Sequence, residues 1–383
     1  MDCCSKNVFI NSTSIIKEWE WIDMKIKRNQ NVDFLRAMAM LVIIIYHCYV
    51  LSGYPWAKHI RLNYLMSFGG EVGVTLFFVL SGFGIFCSIY AKDREANMPT
   101  WRSFMKQRCI RIMPQYYACI FISIIFQSAG LIGKDGIKHI IAYVIFAHNF
   151  FISTHGSING ALWAMATIFQ FYLISVFLYR LVKKNWVSAS ILSVIITVVS
   201  KFIIYHYFIP AFSLEPVAYF VYGRQLISAL DNFVLGMVAA KVVFMLEEKG
   251  IKDKIFAGIV GTTISLIALV GCSYMFSLKG IYGDTLLAYT GHSVLAFIFV
   301  CLIVSVSVLP QSRGVVVRPV NFIAKNQYGM YLWHMPVILC LFNNSPLFQY
   351  LISKSFICSA LGIIVIVIVM GYYSTKWITV RKR

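Results

Sequence analysis

Long apolar runs recur along the whole chain, and they constrain its fold more than any other feature. Runs near twenty residues in length extend, for example, over 34–51 and 353–373. Each is long enough to cross a hydrocarbon core of roughly 30 Å as a helix. Hydrophobic residues make up 59% of the 383 residues and charged residues 13%, whereas a soluble domain is about half apolar and about a quarter charged. The sequence therefore predicts an all-α integral membrane protein.

The apolar pattern predicts a bundle of about ten transmembrane helices with one re-entrant segment. Their predicted bounds are 34–51, 69–90, 112–132, 161–182, 187–209, 226–246, 255–276, 288–309, 328–343 and 353–375. The apolar stretch 140–152 is too short to span the core, so we predict that it is re-entrant. We predict one membrane domain over 29–375, preceded by a polar extension (1–28) and followed by a basic cytoplasmic tail (376–383).

The net charge of +19 comes mostly from Lys and Arg in alternate loops between the apolar runs. With both termini cytoplasmic, the inner segments hold about 24 of these residues and the outer segments about 7, a pattern typical of inner-membrane proteins. The charge therefore indicates orientation in the cytoplasmic membrane and contact with lipids. We expect no nucleic-acid partner, because no soluble domain is present to carry one. The ten cysteines are scattered, so neither a metal site nor a disulfide framework is predicted.

Arg36 and His47 lie on the first predicted span and share one of its faces. They are eleven residues apart, which is three helical turns plus about 20° and roughly 16 Å along the axis. Ionisable groups inside a bilayer are costly and usually face an interior cavity. A neutral imidazole at the depth of His47 can take a proton from a hydroxyl or receive an acyl group. The alternative is a core histidine bonded to a neighbouring helix, but the shared face with Arg36 favours catalysis.

Glu71 enters the second predicted span from the outer side, which His47 approaches from within. The two residues are expected to lie within about one turn of the same depth. A His–Glu pair would orient the imidazole and raise its basicity, so we predict that Glu71 is catalytic as well. An interfacial glutamate in the headgroup region is the alternative. The neighbouring glycines are predicted to let helices approach closely.

Arg108 and Arg111 precede the third predicted span and are three residues apart, hence on one helical face. Two guanidinium groups at the inner surface can bind phosphate oxygens bidentately. Ordinary positive-inside anchoring is the alternative.

Taken together, four motifs in this order resemble the bacterial membrane acyltransferase-3 family. They are Asp33/Leu35-Arg36…His47, Gly73-Val74…Phe77-Phe78-Val79-Leu80-Ser81-Gly82-Phe83, Arg108…Arg111…Pro114 and Tyr331-Leu332-Trp333-His334. The resemblance implies O-acylation of a carbohydrate with an acyl group drawn from cytoplasmic acyl-CoA. It implies a catalytic role for His47 and supporting roles for Arg36, Arg108 and Arg111. Many members carry an acid where this chain has Thr75, and Glu71 lies one turn earlier on the same face.

Further residues are predicted to lie around the substrates. The short segment carries His148 and Asn149, and Trp163 opens the next predicted span. We predict that these three residues surround the entrance for the acceptor, where an aromatic ring suits a sugar face, although interfacial anchoring also explains Trp163. His334 enters from the cytoplasmic side, so a structural role or the lining of a donor channel is expected. Asp231 is a further buried carboxylate with no identified partner.

The favoured function is a membrane O-acyltransferase, most simply an O-acetyltransferase, with acetyl-CoA or another acyl-CoA as donor and a glycan or glycolipid as acceptor. The alternative is a secondary transporter that exports small metabolites or sugars. The number of spans and the buried ionisable groups fit a transporter, but no repeat symmetry is visible. A non-catalytic scaffold would give no reason for the buried His47 and Arg36.

Overall fold

The computed structural model describes residues 29–55, 58, 60–126, 135–251, 254–311 and 317–378. Within these ranges the chain is helical and contains no strand, which confirms the predicted all-α fold. The helices, in chain order, are α1 Gln30–Leu51, α2 Ile60–Ser67, α3 Gly69–Arg94, α4 Trp101–Phe126, α5 Gly136–Val144, α6 Trp163–Lys184, α7 Trp186–Phe202, α8 Val217–Tyr222, α9 Leu230–Glu248, α10 Ile255–Lys279, α11 Leu286–Ser307, α12 Val317–Asn344, α13 Pro346–Lys354 and α14 Phe356–Trp377. The predicted extension 1–28 and most of the predicted tail lie outside the described residues.

Nine helical stretches in the described part of the chain are long and apolar enough to cross a membrane. They are α1, α3, α4, α6, α7 with its continuation to Ala211, α9 with the turn that begins at Ile227, α10, α11 and α14. These match nine of the predicted spans, so the chain is a multi-pass membrane protein. The remaining predicted span, 328–343, lies within α12, a 28-residue helix that packs against both α1 and α14.

The first two spanning helices run in opposite directions. Tyr46 of α1 lies against Gly70 of α3, and Ile43 lies against Gly73, so these two helices are antiparallel. At the start of α1, the Asn29 side chain donates a hydrogen bond to the Ser307 carbonyl at the end of α11 (3.3 Å). We call this end of the bundle the Asn29 end.

Two helices begin earlier than the apolar pattern predicts. Helix α4 begins at Trp101 rather than at residue 112, because the Thr100 hydroxyl accepts a hydrogen bond from the Ser103 amide (3.3 Å) and caps it. Helix α12 begins at Val317 rather than at residue 328. A helix continues through polar residues beyond the hydrocarbon core, so apolarity alone underestimates its length. Arg108 and His334 therefore lie further along their helices than the apolar pattern predicts.

The described residues between α4 and α6, 135–162, do not form a spanning helix, as predicted. They consist of the nine-residue α5 followed by turns up to residue 162. The Tyr116 hydroxyl of α4 donates to the Tyr143 carbonyl (3.0 Å), and the Asn149 amide donates to the Thr167 hydroxyl of α6 (3.3 Å). Tyr116 is ten residues before the end of α4, roughly 15 Å along the axis. The segment therefore packs well inside one end of the bundle.

Candidate active site

A cavity of about 490 Å³ lies in the half of the bundle nearer the Asn29 end. Its walls come from α1, α3, α4, α6, α9 and α12. Four basic residues and one acidic residue line it: Arg36, Arg108, Arg111, Lys325 and Glu247. The structure thus brings together the three arginines that the sequence predicts to act on the donor, and it adds a lysine that sequence reasoning did not select.

Two of the cavity arginines are held in place by neighbouring side chains. The Arg36 guanidinium forms an ion pair with the fully buried Asp33 one turn earlier (2.7 Å). The Arg108 guanidinium donates to the Ser88 hydroxyl (2.9 Å) and lies 4.9 Å from the centre of the Phe104 ring. Because these contacts hold the guanidinium groups themselves, the groups are oriented before a ligand binds.

His47 and His334 lie side by side. Their ring centroids are 5.0 Å apart, with an angle of 62° between the ring planes. His47 follows Gln30 by 17 residues in α1, and His334 follows Val317 by 17 residues in α12. At about 1.5 Å per residue, each lies about 25 Å from the described start of its helix. His334 is therefore further along its helix than the predicted span 328–343 indicates, because α12 begins eleven residues before that span.

Hydrogen bonds to the helix backbone fix the tautomer of both histidines. The Nδ1 atom of His47 lies 2.9 Å from the Ile43 carbonyl, and that of His334 lies 2.6 Å from the Tyr331 carbonyl. A carbonyl oxygen only accepts hydrogen bonds, so each Nδ1 carries the proton. Each neutral ring therefore keeps a lone pair on Nε2, which can accept a proton.

Packed aromatic rings lie between the cavity and this histidine pair. Phe77 lines the cavity and stacks on Tyr331 with ring centroids 5.3 Å apart. The Tyr331 ring in turn lies 5.3 Å from the His334 ring. A chain of direct side-chain contacts thus connects the cavity with the histidines.

Glu71 does not pair with His47 among the contacts of the described residues. One carboxylate oxygen accepts hydrogen bonds from the Tyr282 hydroxyl (2.9 Å) and from the His292 ring (3.0 Å). The other accepts from the guanidinium of Arg224. The structure thus pairs Glu71 with His292 of α11 instead of with His47.

The same network continues from His292 into α7. The Lys201 amine, which is fully buried, lies 3.0 Å from Nδ1 of His292. The amine donates to Nδ1 of His292, and the Nε2–H of His292 donates to Glu71. The hydrogen bonds therefore run in one direction from Lys201 to Glu71. Asp231 of α9 is also fully buried and accepts a hydrogen bond from the Asn232 amide (2.7 Å). Sequence reasoning missed Lys201, Arg224 and His292, although buried ionisable residues in apolar runs were the available signal.

Arg224 is enclosed by aromatic rings as well as by Glu71. Its guanidinium carbon lies 3.5 Å from the centre of the Phe220 ring and 4.5 Å from that of Trp163. Burial opposes the charged form, but the Glu71 carboxylate raises the pKa of Arg224 above its usual value. Trp163, Glu71 and Arg224 also line a cavity of about 10 Å³, which has room for roughly one water molecule.

His148 and Asn149 are buried rather than open to a ligand. The His148 ring is stacked on Tyr143 with centroids 3.8 Å apart, and burial lowers its pKa to about 4. The Asn149 amide oxygen accepts from Gln170 (2.9 Å), and its amide nitrogen donates to Gln225 (3.2 Å). These contacts hold the segment against α6, so neither side chain is open to a ligand in this structure. Trp163, the third residue predicted to surround the acceptor entrance, lines the cavity of about 10 Å³.

Comparison with known proteins gives a consistent result. Residues 29–374 match the model of a family described as an acyltransferase domain. The chain is 26% identical over 352 residues to the O-acetyltransferase OatA of Staphylococcus aureus (strain NCTC 8325 / PS 47), covering 84% of this chain and 53% of that protein. It is 26% identical over 336 residues to the putative O-acetyltransferase SAS0844 of Staphylococcus aureus (strain MSSA476), covering 82% of this chain and 51% of that protein. The chain thus spans about half the length of these curated relatives. No solved structure matches it significantly.

Proposed function

Because the chain belongs to the membrane acyltransferase-3 family, we propose that it transfers an acyl group from acyl-CoA to a hydroxyl of a cell-surface or exported carbohydrate. The relatives named above are O-acetyltransferases, so acetyl is the simplest acyl group. The observation that carries the proposal is the cavity lined by four basic residues, which aromatic side-chain contacts connect with the histidine pair. Family membership favours this function over a secondary transporter.

The donor binds in the cavity of about 490 Å³. Coenzyme A carries a 3′-phosphate and a pyrophosphate, whose negative charges complement the basic lining. Guanidinium groups bind phosphate oxygens bidentately and stay charged, which suits Arg36, Arg108 and Arg111. With the phosphates at these arginines, the pantetheine arm extends past Phe77 towards His47.

His47 is the general base in this proposal. Its Nε2 lone pair takes the proton of the acceptor hydroxyl as the hydroxyl oxygen attacks the thioester carbonyl. The new C–O bond forms and the C–S bond breaks, and His47 then returns the proton to the leaving thiolate. The reaction therefore needs no net proton uptake, and the hydrogen bond from Nδ1 to Ile43 holds the ring in the required tautomer.

The acceptor approaches from the end of the bundle opposite the Asn29 end. Trp163 borders the small cavity there, and its indole offers an apolar face to a sugar ring. His148 and Asn149 support this region from behind. Glu71 shapes the same cavity through Arg224 and His292 rather than through His47. With the Asn29 end cytoplasmic, as the loop charges indicate, donor and acceptor reach His47 from opposite sides of the membrane.

We predict that His47→Ala retains membrane insertion but loses acyl transfer. Removal of a general base typically lowers the rate by about 10²–10⁴-fold. The measurement is release of coenzyme A thiol from acetyl-CoA by purified protein, with and without a carbohydrate acceptor. His206→Ala is the matched control, because His206 is exposed and paired with Asp284 away from the cavity.

Transfer by His47→Ala at the wild-type rate would remove His47 from the mechanism. Sugar movement across reconstituted vesicles without any thiol release would instead support the transporter alternative.

A further inference from the structure

His334 has a buried ring nitrogen that the proposed mechanism does not use. The side chain is fully buried, and Nε2 has no hydrogen-bond partner among the described residues. A buried polar atom without a partner costs stability, and most buried polar atoms in proteins are paired. The position of this nitrogen therefore calls for a functional explanation.

The only other imidazole in contact with His334, within the described part of the chain, is that of His47. The centroids of the two rings are 5.0 Å apart. In each histidine, Nδ1 is tied to a carbonyl of its own helix, so Nε2 is the nitrogen directed away from that helix. Because α1 and α12 pack against each other, the two rings meet at the interface between these helices.

We propose that His334 is the second imidazole of a two-histidine centre and stabilises the protonated form of His47 during acyl transfer. This inference rests on the proposed function. When His47 has taken the hydroxyl proton, it is an imidazolium with hydrogens on both nitrogens. Its Nδ1–H stays bonded to Ile43, and its new Nε2–H is shared between the leaving thiolate and the Nε2 lone pair of His334. As the C–S bond breaks, that proton passes from His47 to the thiolate, so His47 returns to its starting tautomer and His334 stays neutral throughout.

The surroundings of His334 fit this positioning role. Tyr331, one turn earlier, holds Nδ1 through its carbonyl (2.6 Å) and donates its own hydroxyl to the Ala161 carbonyl. The Leu332 carbonyl receives a hydrogen bond from the Asn159 amide (3.4 Å). The turn of α12 that carries His334 is thus fixed to the segment beneath the acceptor entrance. A ring held in this way presents its lone pair without needing to reorient during the reaction.

The test compares His334→Phe with His334→Gln in the purified full chain. Phenylalanine fills the space but has no acceptor atom, whereas the glutamine amide oxygen can replace the Nε2 lone pair. We expect His334→Phe to lower kcat by about ten- to a hundredfold, the effect of one hydrogen bond to a charged group. The KM for acetyl-CoA should stay unchanged, and His334→Gln should recover most of the rate.

Trp333→Phe is the matched control, because Trp333 is buried on the same helix and its indole nitrogen also lacks a partner among the described residues. It should transfer at the wild-type rate. Should His334→Phe fail to fold, judged by gel filtration and thermal melting, His334→Leu takes its place against His334→Gln.

A rate for His334→Phe within about twofold of wild type would overturn the inference. A loss that appears in KM rather than in kcat would also overturn it and would make His334 a lining residue of the donor channel. If the wild-type protein cleaves no thioester, it is the proposed function that fails, so the two failures are distinguishable.

Discussion

Gly69, Gly70 and Gly73 decide where the Glu71 carboxylate lies. A Cβ atom on any of the three would contact Tyr46, Val42 or Ile43, so the glycines form the face of α3 that packs on α1. Successive residues of a helix differ by about 100° in direction. Glu71 therefore points away from α1 and His47, towards α11 and Arg224. Depth along the helix does not decide this direction.

The charges around Glu71 balance each other inside the bundle. Its carboxylate is paired with Arg224, Lys201 lies within electrostatic range of the Asp231 carboxylate, and His292 connects Lys201 with Glu71. Unpaired charges at such positions are strongly destabilising. The network thus joins α3, α7 and α11 to the loop that carries Arg224.

At the same scale, we predict that Arg108→Lys and Arg111→Lys each weaken coenzyme A binding. An ammonium group cannot reproduce the planar fork of a guanidinium. Loss of one charge-assisted hydrogen bond, about 1.5 kcal/mol, raises Kd about tenfold. Isothermal titration with coenzyme A measures the effect. Arg102→Lys is the control, because Arg102 is exposed on the same helix and does not line the cavity.

Unchanged coenzyme A affinity in the double lysine variant would mean that these two arginines only anchor the protein's orientation.

Among the helices, α3 and α9 make the closest backbone contact through one glycine on each. A Cβ on Gly82 would overlap the Phe233 carbonyl, and a Cβ on Gly236 would overlap the Val79 carbonyl. The backbones approach so closely because small residues face each other, as is common between membrane helices. This contact positions α9. On this helix, Asp231 lies near the charged residues around Glu71, and Glu247 lines the cavity of about 490 Å³.

We therefore predict that Gly82→Ala and Gly236→Ala lower the thermal stability of the protein. Overpacking of a tight interface typically costs about 1–3 kcal/mol, and here the obstructing atoms are backbone that cannot rotate away. Melting in detergent, followed by loss of the monodisperse peak, measures the change. Gly271→Ala on α10 is the control, because its Cβ would meet nothing within 4 Å. Equal melting of all three variants would contradict the assigned contact.

At the scale of the whole molecule, the first spanning helix begins and the last spanning helix ends at the same end of the bundle. Helix α1 begins at the Asn29 end. Helix α14 packs against α12 in the opposite direction, with Gly371 against Gly329 and Met330, so it ends there too. Residues 135–162, the described part of the connection from α4 to α6, lie at the other end without crossing. That both termini are cytoplasmic stays a prediction.

Cysteine labelling tests this topology in intact cells. Lys138 and Ser157 flank the predicted re-entrant stretch 140–152. Lys138→Cys and Ser157→Cys should therefore both react with an impermeant maleimide from outside. Lys184→Cys, at the exposed end of α6, should react only after the membrane is opened. Labelling is read against the unsubstituted protein, because Cys301, Cys340 and Cys358 are exposed in the bundle. Reaction of Lys138→Cys and Ser157→Cys on opposite sides would make the segment a true span and reverse every later helix.

The sequence by itself determined the membrane class, nine of the spanning helices, the non-spanning segment and the three arginines that line the cavity of about 490 Å³. These features follow from apolar run length and from spacing within one helix, which are local properties of the chain. Only the tertiary structure decided that Glu71 pairs with Arg224 and His292, that His334 lies beside His47, and that Asn149 is buried among amides. Such contacts join residues up to 287 positions apart, as with His47 and His334. They depend on which faces of separate helices pack together, and no periodicity within a single helix specifies that choice.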